Sequence, residues 1–73
     1  MDVDTFLTEK HIVPGTILRW EDEEKPLVLI LNVRVKEPGN WVMTCFSFEA
    51  KDKISMNIWR EDFYAYRVFA EAE

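Results

Sequence analysis

One cysteine, one histidine and two glycines are all that these 73 residues offer of the types most often recruited for chemistry. Cys45 is the only cysteine, so no internal disulfide can form, which fits a reducing, cytosolic setting. His11 is the only histidine, so the chain cannot build a Cys/His zinc cluster by itself. A Cys45–His11 dyad would need a third group to orient the base. Gly15 and Gly39 do not make a phosphate-cradling loop. The longest unbroken apolar run, residues 27–31, is far short of the roughly 20 residues that cross a bilayer. The opening MDVDTFLTEK carries acids where a signal peptide carries bases. These absences point to a cytoplasmic protein without catalytic residues, metal, cofactor or membrane span. Cys45, set in an apolar run, reads as a small core residue, and His11 as a surface or arm residue.

What is present is apolar and aromatic. The chain is 48% hydrophobic, with three Trp and five Phe, rich enough for a folded core and unlike a disordered tail. At this length, one domain is expected, burying about 60% of its unfolded surface. Its centre is the stretch 26–49. Leu27, Leu29, Leu31, Val33 and Val35 alternate with Val28, Ile30, Asn32, Arg34 and Lys36. A strand sends alternate residues to opposite faces. The first half is thus expected to be buried on both sides and the second half on the odd side only. Glu37-Pro38-Gly39-Asn40 is a turn, with Pro38 fixing one corner and Gly39 supplying positive φ at the next. The strand 41–48 follows with apolar residues on both faces. Val42 and Phe46 are taken as inward, because Ser47 and Glu49 then point out.

The flanking pieces are shorter. Residues 1–13 form an arm, or a helical turn over 5–10 capped by Asp4 with Phe6 and Leu7 inward. Pro14-Gly15 turns the chain into a strand at 16–20, Leu18 and Trp20 on the core side and Arg19 outside. Residues 50–53 are a polar turn. A strand at 54–59 sets Ile54, Met56 and Ile58 on one face. Residues 60–62 make a short turn of 3₁₀ type, leading to a last strand at 63–69. The spacing of Trp59, Phe63, Tyr66 and Ala70 also suits a helix, which keeps open an α+β sheet with a C-terminal helix. Aromatic and β-branched content favours the strand. The fold class is therefore all-β: residues 14–70 form the folded domain, 1–13 the arm and 71–73 a tail.

Charge is uneven. Residues 1–26 carry seven acids and three bases, 27–60 three and five, and 61–73 four and one, for a net −5. The run Glu21, Asp22, Glu23, Glu24 repels itself and reads as a solvated loop. It lacks the spaced acids and turn glycine of a calcium loop.

Five strands with a short helical turn before the last resemble the SH3-like small barrel. Residues 15–20 are similar to its opening strand, 21–26 to its first long loop, 37–40 to the next loop, 51–53 to the distal turn and 60–62 to the 3₁₀ turn. Glu21–Glu24 and Trp41 match the acidic first loop and the Trp of the third strand that signalling SH3 domains use on proline-rich peptides. The first loop is shorter here and the aromatic motif of strand one is missing. The chain is more similar to the compact barrels of bacterial and phage accessory proteins.

That resemblance implies a non-enzymatic protein-interaction module, of the kind encoded by phages or mobile elements to inhibit or modulate a larger host protein. Its expected contact residues are Glu21, Asp22, Glu23, Glu24 and Trp41. Trp is enriched at interface hot spots, although Trp41 equally fits a cap on the core. One alternative is nucleic-acid binding by a face carrying Arg34, Lys36, Lys51, Lys53 and Arg60, with Trp41 or Trp59 for stacking. The overall acidity disfavours that. Another is mimicry of nucleic acid by Glu21–Glu24 with Asp2, Asp4, Glu71 and Glu73.

Overall fold

The computed structural model describes residues 5–21 and 27–72. Its strands are β1 (Thr5–Phe6), β2 (Ile17–Trp20), β3 (Leu27–Glu37), β4 (Asn40–Ser47), β5 (Asp52–Trp59) and β6 (Tyr66–Ala70). Two 3₁₀ turns, η1 (Glu9–His11) and η2 (Arg60–Ala65), complete the elements. The strands form one sheet in the order β1-β6-β2-β3-β4-β5, every neighbour antiparallel. The all-β class is as expected. A flat sheet is only about 10 Å thick, whereas the extents here are 29 × 25 × 25 Å. The sheet therefore curls, as twisted sheets do, and its concave face closes on one apolar cluster.

That cluster takes Leu18 from β2, Val28 and Ile30 from β3, Trp41, Met43 and Cys45 from β4, Ile58 from β5 and Val68 from β6, with Leu7 and Ile12. Two strands present the faces that simple alternation does not give. In β3, Ile30 pairs with Cys45 and Asn32 with Thr44, so Leu31 is an extra residue without a partner. Such a bulge shifts the phase of the pleat by one. Before it the even residues Val28 and Ile30 point inward, and after it Val33 does. Leu31 is left 38% exposed. In β4 the inward residues are Trp41, Met43, Cys45 and Ser47. This corrects the choice of Val42 and Phe46. That choice treated Ser47 as too polar to bury, but its hydroxyl accepts the Ala50 N–H at 3.1 Å within the β4–β5 turn. A buried hydroxyl with a partner costs little.

The turns follow the chemistry. Gly39 has φ +84°, the value a type II turn needs at its second corner. The β4–β5 turn occupies 48–51 rather than 50–53, and Lys51 takes the left-handed conformation with φ +58°.

At the N-terminus the expected arm contributes a sixth strand, with Thr5 facing Val68 and Phe6 facing Arg67. Leu7 is buried as expected, but Phe6 is half exposed. The helical turn expected over 5–10 does not form there: residues 5–6 are strand and a single 3₁₀ turn, η1, follows at Glu9–His11 with Thr8 at its N-cap; the proposed Asp4 cap lies outside the described residues. His11 is buried, not a surface residue. Its Nδ1 accepts the Thr8 N–H at 3.1 Å and lies 3.0 Å from the Thr8 hydroxyl, while Nε2 faces Glu71 Oε2 at 3.4 Å. At the other end η2 runs to Ala65, so the last strand starts at Tyr66 instead of 63. The C-terminal helix of the alternative reading does not form. No helix among the described residues is long and apolar enough to cross a membrane.

Candidate partner-binding cleft

The strand β2 ends at Trp20, and Glu21 leaves it as a turn. The Glu21 N–H donates to the Ala65 carbonyl at 2.8 Å, tying this exit to the end of η2. The turn η2 begins directly after β5. Glu61 and Asp62 stand in its first turn, where acids complement exposed N–H groups. At its far end Tyr66 N–H donates to Phe63 O. The three-residue period of such a turn separates two adjacent rings. Phe63 turns inward, stacked on Trp41 with centroids 5.5 Å apart, and Tyr64 turns outward, 71% exposed.

Trp20, Glu21, Tyr64 and Ala65 thereby line an open cleft of about 330 Å³. Its base is stiff. Trp20 contacts Tyr66 at 5.9 Å between ring centroids. The Tyr66 hydroxyl is raised above its ordinary pKa by burial and by the charge of Asp62. Glu21 is held by Arg67, with Nε donating to Oε1 at 2.6 Å, and the Arg67 guanidinium lies over the Phe6 ring at 4.2 Å. Beside the cleft stand the acids Glu21 and, in the first turn of η2, Glu61 and Asp62.

The residues singled out in the sequence fall in different places. Glu21 is at the cleft. Asp22, Glu23 and Glu24 lie outside the described residues. Trp41 is 5% exposed, sandwiched between Phe63 and the Arg60 guanidinium, which sits 5.6 Å from its ring centroid. Its ring is a lid on the core. Arg60 is placed there by Glu9, whose Oε1 accepts from Nη2 at 3.0 Å. Sequence reasoning does not single out Tyr64, because 63–69 reads as unbroken strand, nor Trp20, which alternation assigns to the core side of β2. Had the 3₁₀ turn been carried three residues further, Tyr64 would have emerged as an exposed aromatic.

Arg34, opposite Val42, and Lys53, opposite Phe46, both project from the convex face, and Phe46 packs edge-on against Phe48 at 5.4 Å. Lys36 and Lys51 stand near opposite ends of β4, roughly 23 Å apart by the rise of an extended strand. These bases are spread along the sheet.

Groups with reactive potential are sequestered. Cys45 is fully buried, which pushes its thiol up to about 11. Both nitrogens of His11 are engaged, so the ring is a tether between η1 and the C-terminal residues. A second hollow of about 160 Å³ lies beside it, lined in part by Thr16, whose buried hydroxyl has no hydrogen-bond partner among the described residues. Among the described residues no three His, Cys, Asp or Glu side chains gather as a metal site. Comparison with protein families, curated proteins and solved structures returns no match.

Proposed function

We propose that this chain is a non-enzymatic protein-interaction module that docks a cationic segment of a larger protein in the Trp20–Glu21–Tyr64–Ala65 cleft. The observation that carries the reading is Tyr64. A large ring 71% exposed on a turn pinned at both ends loses little freedom on binding, and rigid aromatics make good anchors. The acids Glu21, Glu61 and Asp62 select the sign of the partner. A Lys or Arg side chain gains both a cation–π contact with the open rings and attraction from the carboxylates. Acting as an inhibitor or modulator of that partner is the role such a module serves best.

The strand order supports the reading. Without β1, the sequence β6-β2-β3-β4-β5 places the last strand beside the first, with a 3₁₀ turn before it. We take this as the arrangement of an SH3-like barrel, in which β1 is an added edge strand. The cleft then lies between the exit of β2 and the 3₁₀ turn.

The test is calorimetric titration with a short Lys/Arg-rich peptide, against an acidic peptide of equal length. Binding of the cationic peptide alone, weakened by salt and lost in Tyr64→Ala, is expected. Equal binding by Tyr64→Ala, or none by the wild type at low salt, overturns the proposal. The nucleic-acid reading predicts instead that single-stranded RNA or DNA binds and that Arg34→Ala with Lys53→Ala abolishes it.

A further inference from the structure

The sheet has two edges. One is β1, of two residues, and the other is β5, of eight. A single hydrogen bond fixes which groups β5 turns outward. Arg60 N–H donates to the Gly39 carbonyl at 2.8 Å, so the adjacent pair Asn40–Trp59 is of the wide, non-hydrogen-bonded kind. Alternation makes Val42–Asn57, Thr44–Ser55 and Phe46–Lys53 wide as well. In a wide pair the backbone groups point away from the partner strand. Lys53, Ser55 and Asn57 therefore direct N–H and C=O away from β4. In agreement, the Lys53 N–H is taken by the side chain of Asp52, at 2.7 Å. Ser55 and Asn57, in mid-strand, have no backbone partner on that side among the described residues.

We propose that this edge receives a second copy of the chain, β5 pairing antiparallel with β5 across a two-fold axis. A head-to-tail arrangement would use β1, whose two described residues support only a couple of bonds. The two-fold arrangement uses the longer edge twice and closes on itself. Side chains select the register. With the axis at Met56, Ser55 faces Asn57 of the second copy, a hydrogen-bonding pair. Lys53 faces Trp59 of the second copy, whose ring is 39% exposed and suited to an ammonium. Moving the axis to Ser55 sets Ser55 against itself and Lys53 against Asn57, and forfeits the ring. Lysine on an edge strand repels unmatched strands, and only the matched register accommodates it. So small and polar a contact gives a dissociation constant on the order of 100 µM.

The experiment is sedimentation equilibrium from about 10 µM to 1 mM on the wild type and Ser55→Pro. Proline is tolerated where an edge-strand N–H faces outward, so the variant should keep its fold by circular dichroism while losing the bond to a second copy. The expected result is a wild type that passes from monomer to dimer and a folded variant that stays monomeric. A wild type monomeric at 1 mM, or a folded variant that dimerises equally, overturns the proposal. If Ser55→Pro does not fold, amide exchange of the wild type decides: exchange at Ser55 and Asn57 slowing about fourfold between those concentrations supports it, and exchange independent of concentration overturns it. None of these readouts involves the cleft.

Discussion

Exchanging Ile30 and Leu31 as the residue that is cut back distinguishes a bulged β3 from a regular one. Ile30 is 1% exposed and packed between β2 and β4, whereas Leu31 is 38% exposed and unpaired. Truncating a fully buried Ile to Ala costs about 2–5 kcal/mol, through lost transfer energy and the cavity left behind. Replacing a half-exposed Leu by Ser costs under about 1 kcal/mol. A chain of 73 residues has a total stability of roughly 4–11 kcal/mol, so the first change removes a large share and the second does not. With a urea m-value of about 1 kcal/mol/M, Ile30→Ala should lower the midpoint by about 2 M or more and Leu31→Ser by less than about 1 M. Both are read from tryptophan fluorescence against urea, with m unchanged. If Leu31→Ser proves as damaging as Ile30→Ala, the bulge is misplaced and the pleat of β3 runs in the other phase.

Other consequences are simpler to check. Cys45, with its thiol raised from 9.0 to about 11 by burial, should react with a maleimide only as fast as the protein unfolds, so denaturant should accelerate labelling by orders of magnitude. Because that thiol and the Tyr66 hydroxyl ionise more readily in the unfolded chain, the unfolded state sheds protons that the folded state keeps. Stability should therefore fall as pH climbs from 9.0 to about 11, by about 2–3 kcal/mol for the thiol; urea midpoints across that range measure it, and Cys45→Ala should flatten the slope. Gly39→Ala forces a side chain into φ +84° and should destabilise by about 1 kcal/mol in the same assay. Tyr64→Ala should leave the urea midpoint within about 0.5 M, since the ring is largely in solvent.

Much of this architecture is legible from residue types. Pro38-Gly39 sets the hairpin turn, and the alternation of Ile54, Met56 and Ile58 identifies the inner face of β5. The element order follows from the apolar runs between turns. Residues 27–31 defeat the same reasoning, because an all-apolar run carries no phase and conceals an inserted residue. The face of β4 is equally mute, since both of its sides are apolar and only a hydrogen bond made after folding allows Ser47 inside. His11 looks exposed in sequence because nothing local announces that Glu71, sixty residues on, closes over it. Glu21 is visible at the head of an acidic run, whereas Tyr64 is not. Its outward direction depends on η2 extending to Ala65 rather than stopping at residue 62.

The most direct test of the central claim, that the cleft between the exit of β2 and η2 is the docking surface, is an amide chemical-shift map during titration with a Lys/Arg-rich peptide. The account predicts saturable shifts concentrated at Trp20, Glu21, Tyr64 and Ala65, and at the indole N–H of Trp20 but not that of Trp41. Shifts confined to the convex face around Arg34, Phe46 and Lys53, or no saturable shift, would contradict it.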